Sequence, residues 1–450
     1  MNFKILPASA LLLLLTGCGL GTVTSTDTTV VMPAATKTSG VVMGGQQPVG
    51  GITLQLYTVG TAGYGSAATA MGASFSTTPS GNFNLPTFTC PTAGALTFMV
   101  GTGGQPVAAV GPTPAVTNNN LALMVGLGAC STVGTNYIDM NEVTTVATVW
   151  ALSPFMTGIT SIGAPSSSAL ATLGLKNAFA SINKIVDTTN GAVSGPSLPA
   201  GATLPIAQIN TIADILEQCA NSGGGTAADT TDGQTNGTGC GKLFYLTGGT
   251  STTDTITAAL YIAQHPSLNM VKLNSLRSSS PVFQPALSVN TPPTSWSIVI
   301  SHTGGGLNAP QDVATDQSGN VWVANSGNSS VSEFNALGAA ISTSTGFTSG
   351  GISSPYALAV DQTGNAWVAN SGNDTITKLT PNGASATSYG SSTTLNVPKG
   401  IAIDAVGNIW VSNSAGASVS AFSSSGTALT GSPYTTIGTA SPLAIAIDPK

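Results

Sequence analysis

The last third of the sequence repeats itself, and this repetition constrains the fold more than any other feature. Three copies run APQDVATDQSGNVWVANSGNSSVSEF from Ala309, SPYALAVDQTGNAWVANSGNDTITKL from Ser354 and VPKGIAIDAVGNIWVSNSAGASVSAF from Val397, and a fourth starts with SPLAIAIDPK at Ser441. Equivalent prolines stand at positions 310, 355, 398 and 442, so the steps are 45, 43 and 44 residues. This spacing predicts one four-stranded β-propeller blade per copy.

Each copy predicts an inner strand, a tight turn and a second strand. The turn starts at an aspartate and contains a glycine that supplies a positive φ. A tryptophan on the second strand is large enough to fill the space between neighbouring blades. The aspartates keep one fixed turn position, which favours a structural role over a metal cluster. These structural repeat residues are Asp316, Asp361, Asp404, Trp322, Trp367 and Trp410.

The shared pattern P-x-x-I-A-[VI]-D-x-x-G-N-x-W-V-[AS]-N-S resembles the NHL repeat and, within that family, proteins related to virginiamycin B (streptogramin) lyase. The resemblance covers residues 296–450 and implies a propeller. Those lyases open a cyclic depsipeptide with histidines and a magnesium ion on the propeller axis. Here this segment contains one histidine, His302, which precedes the first copy. The resemblance therefore carries over no catalytic residue.

The turns after the second strand predict a binding face. In propellers the inter-blade turns and the turns between second and third strands share one side, and loops often carry function. A neutral surface of amides and hydroxyls suits hydrogen bonding to a glycan or peptide. The alternative is that these residues are only favourable turn residues. The candidate residues are Asn325, Ser326, Asn328, Asn370, Ser371, Asn373, Asp374, Asn413 and Ser414.

The copies predict about three and a half blades. The fourth copy reaches only an inner strand, and the segment Trp296–Ser301 is expected to supply an outer strand. Propellers close with about four to eight blades. We therefore expect an open arc, with either a chain that continues beyond Lys450 or several copies that complete one another.

The N-terminus has the layout of an export signal. Lys4 supplies one positive charge, an apolar run follows from Ile5 to Leu15, and the run ends in LTGC at Cys18. The run is too short for a membrane-spanning helix of about 20 residues. LTGC resembles the lipobox of bacterial lipoproteins, which implies cleavage after residue 17, a lipid on Cys18 and an extracytoplasmic location at the outer membrane or cell surface. The alternative is a chance cysteine at a secretory cleavage site.

Four cysteines remain when Cys18 is set aside, and they permit three pairings. Sequence proximity and the expected domain limits favour Cys90 with Cys130 and Cys219 with Cys240. Export to an oxidising compartment is consistent with both bridges. The alternatives are buried free thiols or, less favoured because the chain has no C-x-x-C motif or nearby histidine pair, a zinc site.

Periodicity divides the chain into a multidomain architecture: a small β-sandwich, an α-helical middle domain and the C-terminal propeller. Period-two alternation around Leu54 and Leu56 predicts strands, and this segment resembles the carboxypeptidase-regulatory-like sandwich. Helical spacing follows, with Asn141 as a candidate N-cap, Pro205 at a helix start and Pro266 after a helix end. The predicted segments are a signal peptide (1–17), a tether (18–39), the sandwich (40–117), the helical domain (118–287) and the blades (288–450).

Composition narrows the function. Only 6% of residues are charged and the formal net charge is −6, and the chain has no basic patch that could bind nucleic acid. No catalytic constellation and no cofactor motif is found. The sequence predicts a lipid-anchored binding or interaction protein with a protein, peptide or glycan ligand. The rival hypothesis is a propeller lyase or lactonase with a divalent metal on the axis.

Overall fold

The computed structural model describes residues 29–35, 39–106, 116–435 and 440–448. The predicted signal peptide and Cys18 lie outside these ranges. In chain order the strands are β1 (Val30–Met32), β2 (Gly40–Gly44), β3 (Gln47–Pro48), β4 (Thr53–Thr58), β5 (Thr69–Ser76), β6 (Asn82–Phe83), β7 (Phe88–Cys90), β8 (Leu96–Thr102), β9 (Ala122–Ala129), β10 (Ile138–Met140), β11 (Met156–Gly158), β12 (Ser161–Ile162), β13 (Ala202–Thr203), β14 (Ser301–His302), β15 (Pro310–Thr315), β16 (Val321–Asn325), β17 (Ser330–Phe334), β18 (Pro355–Val360), β19 (Ala366–Asn370), β20 (Thr375–Leu379), β21 (Ala386–Tyr389), β22 (Pro398–Ile403), β23 (Ile409–Asn413) and β24 (Ser418–Phe422).

Helices occupy the middle of the chain. They are α1 (Glu142–Leu152), α2 (Ala169–Ile185), α3 (Ile206–Ala220), α4 (Gly239–Leu246), α5 (Thr255–Gln264) and α6 (Met270–Asn274). In the part of the chain that the structure describes, none of these helices is both long and apolar enough to span a membrane.

The described chain before the repeats is called the N-terminal unit. Its centre is a four-stranded antiparallel sheet in the order β5-β4-β8-β9. Alternation along β8 divides its side chains between two cores: Phe98 and Val100 pack with the helices, whereas Met99 packs with β2, β6 and β10 on the other face. The sheet is therefore buried on both faces, by helices on one side and short strands on the other.

The sheet crosses the predicted boundary between residues 117 and 118. Strand β9 lies in the segment predicted to be helical, yet it pairs with β8 along its length. The boundary must be corrected, because β9 is apolar and completes the sheet on which the helices pack. Strand β1 likewise lies inside the predicted tether and pairs with β7, so ordered structure starts before Gly40.

Threonines of the helices bond to the outer edge of β9. Thr145 and Thr148 of α1 accept hydrogen bonds from the backbone N–H groups of Met124 and Gly126, both at 3.0 Å. Thr255 of α5 accepts one from Ala122, also at 3.0 Å. These hydroxyls satisfy backbone donors that an edge strand would otherwise leave unpaired.

The predicted helix ends are confirmed. Asn141 is the N-cap of α1 and accepts a hydrogen bond from the Thr144 N–H at 3.0 Å. Pro205 immediately precedes α3, and α5 ends at its C-cap His265, just before Pro266. An oxygen-bearing cap and the missing N–H of proline explain these boundaries.

Both predicted disulfides are confirmed. Cys90 is bonded to Cys130 with a Cα–Cα distance of 5.8 Å, and Cys219 is bonded to Cys240 with a distance of 4.1 Å. The first bridge joins β7 to the end of β9, which again ties together segments on the two sides of residue 117.

The repeats form three successive antiparallel sheets. Strands β15-β16-β17, β18-β19-β20-β21 and β22-β23-β24 are paired in chain order. A fourth, outer segment pairs with the third strand in the first and third sheets through the bridges Val331–Phe347 and Val419–Tyr434. Each full copy therefore builds a blade of the predicted type, which we number blade 1 to blade 3.

Tryptophans fill the spaces between blades, as predicted. Trp322 of blade 1 packs with Leu358 of blade 2, and Trp367 of blade 2 packs with Ile401 of blade 3. Both tryptophans are 0% exposed. Each of these two inter-blade cores is thus built around one tryptophan ring, whereas Trp410 of blade 3 is only partly buried.

The segment before blade 1 belongs to the helical core. Trp296 is fully buried there, its carbonyl accepts a hydrogen bond from Trp150 Nε1 at 3.0 Å, and β14 pairs with β13. The expectation that Trp296–Ser301 forms an outer blade strand is therefore wrong, because its large side chain is buried among helices. The fourth copy is described over residues 440–448. Its Leu443 carbonyl lies close to Gly400 in β22 of blade 3.

Candidate functional site

The predicted binding face contains three buried asparagines. Asn325 and Asn370 are 0% exposed and Asn413 is 1% exposed, so the prediction of an accessible surface is wrong for them. Ser414 is also buried. The remaining candidates are at least partly exposed: Ser326, Asn328, Ser371, Asn373 and Asp374.

The buried asparagines connect three segments within each blade. The amide donates to a hydroxyl on the third strand, and its oxygen accepts the backbone N–H of the segment that enters the first strand. The donated bonds are Asn325 to Ser332 at 2.9 Å, Asn370 to Thr377 at 2.8 Å and Asn413 to Ser420 at 2.9 Å. The accepted bonds come from Asn308 at 3.2 Å, Ser353 at 3.4 Å and Asn396 at 3.2 Å. These side chains are structural because both ends of each amide are used within the protein.

The serine after each asparagine holds a strained residue at the blade entrance. Ala309, Ser354 and Val397 have φ values of 47°, 42° and 48°, which non-glycine residues rarely adopt. The carbonyl of each accepts the hydroxyl of the paired serine. From hydroxyl to carbonyl, the pairs are Ser326 to Ala309 at 3.1 Å, Ser371 to Ser354 at 2.8 Å and Ser414 to Val397 at 2.8 Å. Such strain costs about 1–3 kcal/mol per residue and is found preferentially at functional sites.

A β-bulge follows each strained residue. Pairing between the first and second strands skips one residue directly after the proline, and that residue is Gln311, Tyr356 or Lys399. Bulges redirect a side chain away from the regular ladder and are common beside active sites. We call Gln311, Tyr356 and Lys399 the bulge row.

The bulge row presents three different chemical groups to solvent. Gln311 is exposed and its amide donates to Ser326 Oγ at 3.0 Å. Tyr356 is 37% exposed, and the Lys399 ammonium lies 5.0 Å from the centre of its ring. This distance permits a cation–π interaction that orients both side chains. The row can therefore accept and donate hydrogen bonds, stack on a ring and bind one negative charge.

The turn aspartates have the predicted structural role. Burial raises the pKa of Asp361, but hydrogen bonds from Asn365, Thr363 and Trp367 outweigh burial and lower that pKa to about 2. Asp404 accepts the Trp410 indole N–H at 3.0 Å, and its pKa is also lowered. Each carboxylate thus fixes the turn and, in blades 2 and 3, the tryptophan.

Glu333 of β17 is buried between two blades. Its side chain is 0% exposed, and burial raises its pKa to about 7 although the Asn382 N–H donates to it at 2.9 Å. It lies opposite Trp322 in the strand register. The side chain connects blade 1 to blade 2 and is not accessible to a ligand.

Donors for a metal are sparse. Within residues 29–35, 39–106, 116–435 and 440–448, no three His, Cys, Asp or Glu side chains are grouped in a way that could hold a metal ion. Asp374, the other acid near the turns, accepts the Val397 N–H at 2.7 Å. His302 lies in β14, and burial lowers its pKa.

Comparison with known proteins agrees with the geometry of the blades. Residues 307–334 match the NHL repeat. The match covers the three strands of blade 1, and blades 2 and 3 repeat their strand order. A search of curated proteins finds no match.

Several solved structures resemble part of the chain at low sequence identity. A streptogramin B lyase structure is 21% identical, with a TM-score of 0.25, and covers 29% of this chain and 41% of that one. Virginiamycin B lyase from Staphylococcus aureus is 19% identical, with a TM-score of 0.24, and covers 27% and 40%. A nidogen/laminin complex is 18% identical, with a TM-score of 0.25, and covers 29% and 50%. The matched part spans about two fifths of the lyases' length.

The bulge row was not predicted from the sequence, although the repeats contain a signal for it. The three full copies agree at the proline, aspartate, glycine and tryptophan, but the residue after the proline changes completely between them. A change of chemical class directly after a fixed proline indicates a side chain that the fold does not require. The Asn-Ser pairs, by contrast, are constant in all three copies because the fold requires them.

Proposed function

We propose that this chain is a lipid-anchored extracytoplasmic binding protein whose NHL-type blades contact a peptide or glycan through the bulge row. The observation that carries the proposal is the bulge after a strained residue, repeated in three blades, with a side chain that is exposed in blades 1 and 2 and partly exposed in blade 3. The fold maintains this costly backbone, while the displayed group differs in every copy.

The ligand chemistry follows from the groups displayed. One amide, one phenol and one ammonium offer polar contacts and a ring face but only one charge. A neutral or weakly anionic peptide or sugar chain fits this surface better than a polyanion. Anchoring through Cys18 would hold the surface at a membrane, and the two disulfides are consistent with an oxidising compartment.

Binding to peptide and glycan arrays tests the proposal. The wild-type chain is compared with the triple variant Gln311→Ala/Tyr356→Ala/Lys399→Ala and with a control, Thr387→Ala/Ser388→Ala, on the exposed outer strand β21. We expect the wild type and the control to bind the same ligands and the triple variant to lose at least tenfold in affinity. Equal binding by all three proteins, or no bound ligand on either array, would refute it.

The alternative is a metal-dependent propeller lyase or lactonase. The NHL match is compatible with this class of enzyme. However, no histidine follows His302 in the sequence, so the blades lack the histidines that the lyase resemblance implies. Purified protein incubated with a cyclic depsipeptide or a lactone and magnesium distinguishes the two functions. Magnesium-dependent cleavage would favour the enzyme over the binding protein.

A further inference from the structure

The fourth copy places a further residue at the position of the bulge row. Leu443 follows Pro442, as Lys399 follows Pro398 in blade 3. The Leu443 carbonyl lies close to Gly400 of β22, so this segment lies next to blade 3, and the Leu443 side chain is 57% exposed. The same position is exposed in blade 2, which has a blade on each side. We call the four residues at this position the extended row: Gln311, Tyr356, Lys399 and Leu443.

Three polar groups of the extended row are free to contact a ligand. The Gln311 amide nitrogen donates to Ser326 Oγ at 3.0 Å, and the amide oxygen accepts no hydrogen bond from the described chain. The Tyr356 hydroxyl and the Lys399 ammonium also form no hydrogen bond with a described residue. These side chains reach solvent, so a ligand displaces only water from them.

The contact between Lys399 and Tyr356 favours a carboxylate over a sugar ring. The Lys399 ammonium lies over the Tyr356 ring, 5.0 Å from its centre. This contact covers one face of the ring, which reduces the surface on which a sugar could stack, and it holds the ammonium near the phenol. An ammonium and a hydroxyl on the same ring can donate to the two oxygens of one carboxylate, and such charge-assisted hydrogen bonds are stronger than neutral ones.

The extended row has a single positive charge that no acid of the described chain pairs with. Asp312, beside Gln311, accepts two backbone N–H groups at 2.9 and 2.8 Å. Asp374, in the turn that contacts the entrance of blade 3, accepts a third at 2.7 Å. Neither carboxylate forms an ion pair with Lys399. One unpaired cation suits a ligand with one carboxylate.

We propose that the extended row binds the C-terminal residue of a peptide that ends in an apolar side chain. This inference rests on the proposed function, since it assigns a ligand class to the bulge row. The terminal carboxylate accepts hydrogen bonds from Lys399 and Tyr356, the last side chain packs on Leu443, and an upstream N–H donates to the Gln311 amide oxygen. A C-terminal residue carries a carboxylate and a side chain on one Cα, which matches an ammonium and an apolar group on neighbouring strands.

Fluorescence anisotropy with the full chain and three labelled peptides tests the inference. The probe is fluorescein-Gly-Ser-Gly-Ala-Leu with a free carboxylate. The comparisons are its C-terminal amide and fluorescein-Gly-Ser-Gly-Asp-Leu amide, which moves the carboxylate to a side chain. We expect the free carboxylate to bind about fivefold more tightly than either amide, as for one exposed ion pair, and added salt to reduce this preference.

Three variants locate the contacts. Lys399→Met should remove the preference for the free carboxylate, whereas Lys272→Met, which removes an exposed charge from α6, should retain it. Leu443→Ala should weaken binding of the leucine peptide about threefold, because less apolar surface is buried, and leave a peptide that ends in glycine unaffected. If Lys399→Met does not fold, Tyr356→Phe removes one of the two donors and should lower the preference about twofold.

Equal binding of the free and amidated peptides, or an unchanged preference in Lys399→Met and Tyr356→Phe, would overturn the inference. Binding of trigalacturonic acid with no binding of any peptide would also overturn it, in favour of an acidic glycan. An array of peptides attached through their N-termini separates this inference from the proposed function. If the triple variant keeps its array ligands, the proposed function fails; if it loses ligands that bind equally well as C-terminal amides, only this inference fails.

Discussion

Glu142 should make the N-terminal unit less stable as the pH rises. Its side chain is fully buried at the start of α1, where both carboxylate oxygens accept the Gly45 N–H, at 3.1 and 3.0 Å. Burial raises the pKa of Glu142 to about 8. The nearby Glu217 and Asp214 raise this pKa further, and the hydrogen bond from Gly45 lowers it by less than burial raises it. Glu142 therefore stays protonated in the native state up to about pH 8, whereas in the unfolded state it loses its proton near pH 4.5.

The sign and size follow from proton linkage. Because the native pKa is raised, the stabilisation is complete below the unfolded pKa and is lost as the pH rises from about 4.5 to about 8. For these two pKa values the loss between pH 5 and pH 7.5 is about 3 kcal/mol. Burial also raises the pKa values of Asp139 and Asp214 to about 6, so their contributions have the same sign.

Denaturant titration at pH 5 and pH 7.5 measures the effect. Circular dichroism at 222 nm follows the unit that contains Glu142, because the described helices all lie between residues 142 and 274. Glu142→Gln keeps an oxygen for Gly45 but cannot ionise, so it should reduce the pH-dependent loss by about 3 kcal/mol. Glu217→Gln is the control and should have a much smaller effect. An unchanged pH dependence in Glu142→Gln would refute the reasoning.

Three further predictions concern other parts of the chain. Labelled palmitate should enter the wild-type protein and not Cys18→Ser, and equal labelling would contradict lipid anchoring. Asn370→Ala should lower the free energy of unfolding of the blades by about 2 kcal/mol, since it leaves buried partners unpaired, and tryptophan fluorescence measures this; no change would contradict its structural role. Non-reducing peptide mapping should recover Cys90 with Cys130 and no cross-pair with Cys219.

Sequence predicted the features that local chemistry determines. The Asp-Gly turns and the N-cap of α1 each depend on residues within a few positions of one another, and the repeat itself placed one tryptophan in each copy. Gly364, for example, has the predicted positive φ, here 84°, which glycine adopts without a steric penalty. The disulfide pairs were also predictable, because each joins cysteines close in the sequence.

Features that depend on distant segments were not predictable. The burial of Asn370 depends on hydrogen bonds to the next strand and to a segment 17 residues earlier, so its sequence neighbourhood resembles that of an exposed turn. Strand β9 has glycines and no strict alternation, and only pairing with β8 identifies it. The pocket beside Asp139 is lined by segments that lie as far apart in the sequence as residues 43 and 284.

The blades differ at several positions, and two of these have different structural consequences. One is the bulge row, which faces solvent. The other is on the third strand: Glu333 accepts the Asn382 N–H of blade 2, and Lys378 donates to the Ser424 carbonyl of blade 3 at 3.2 Å. An acceptor in one blade and a donor in the next contact different backbone groups, so these side chains favour the native order of neighbours over other pairings. The side chain at this position of the third strand therefore favours one order of blades.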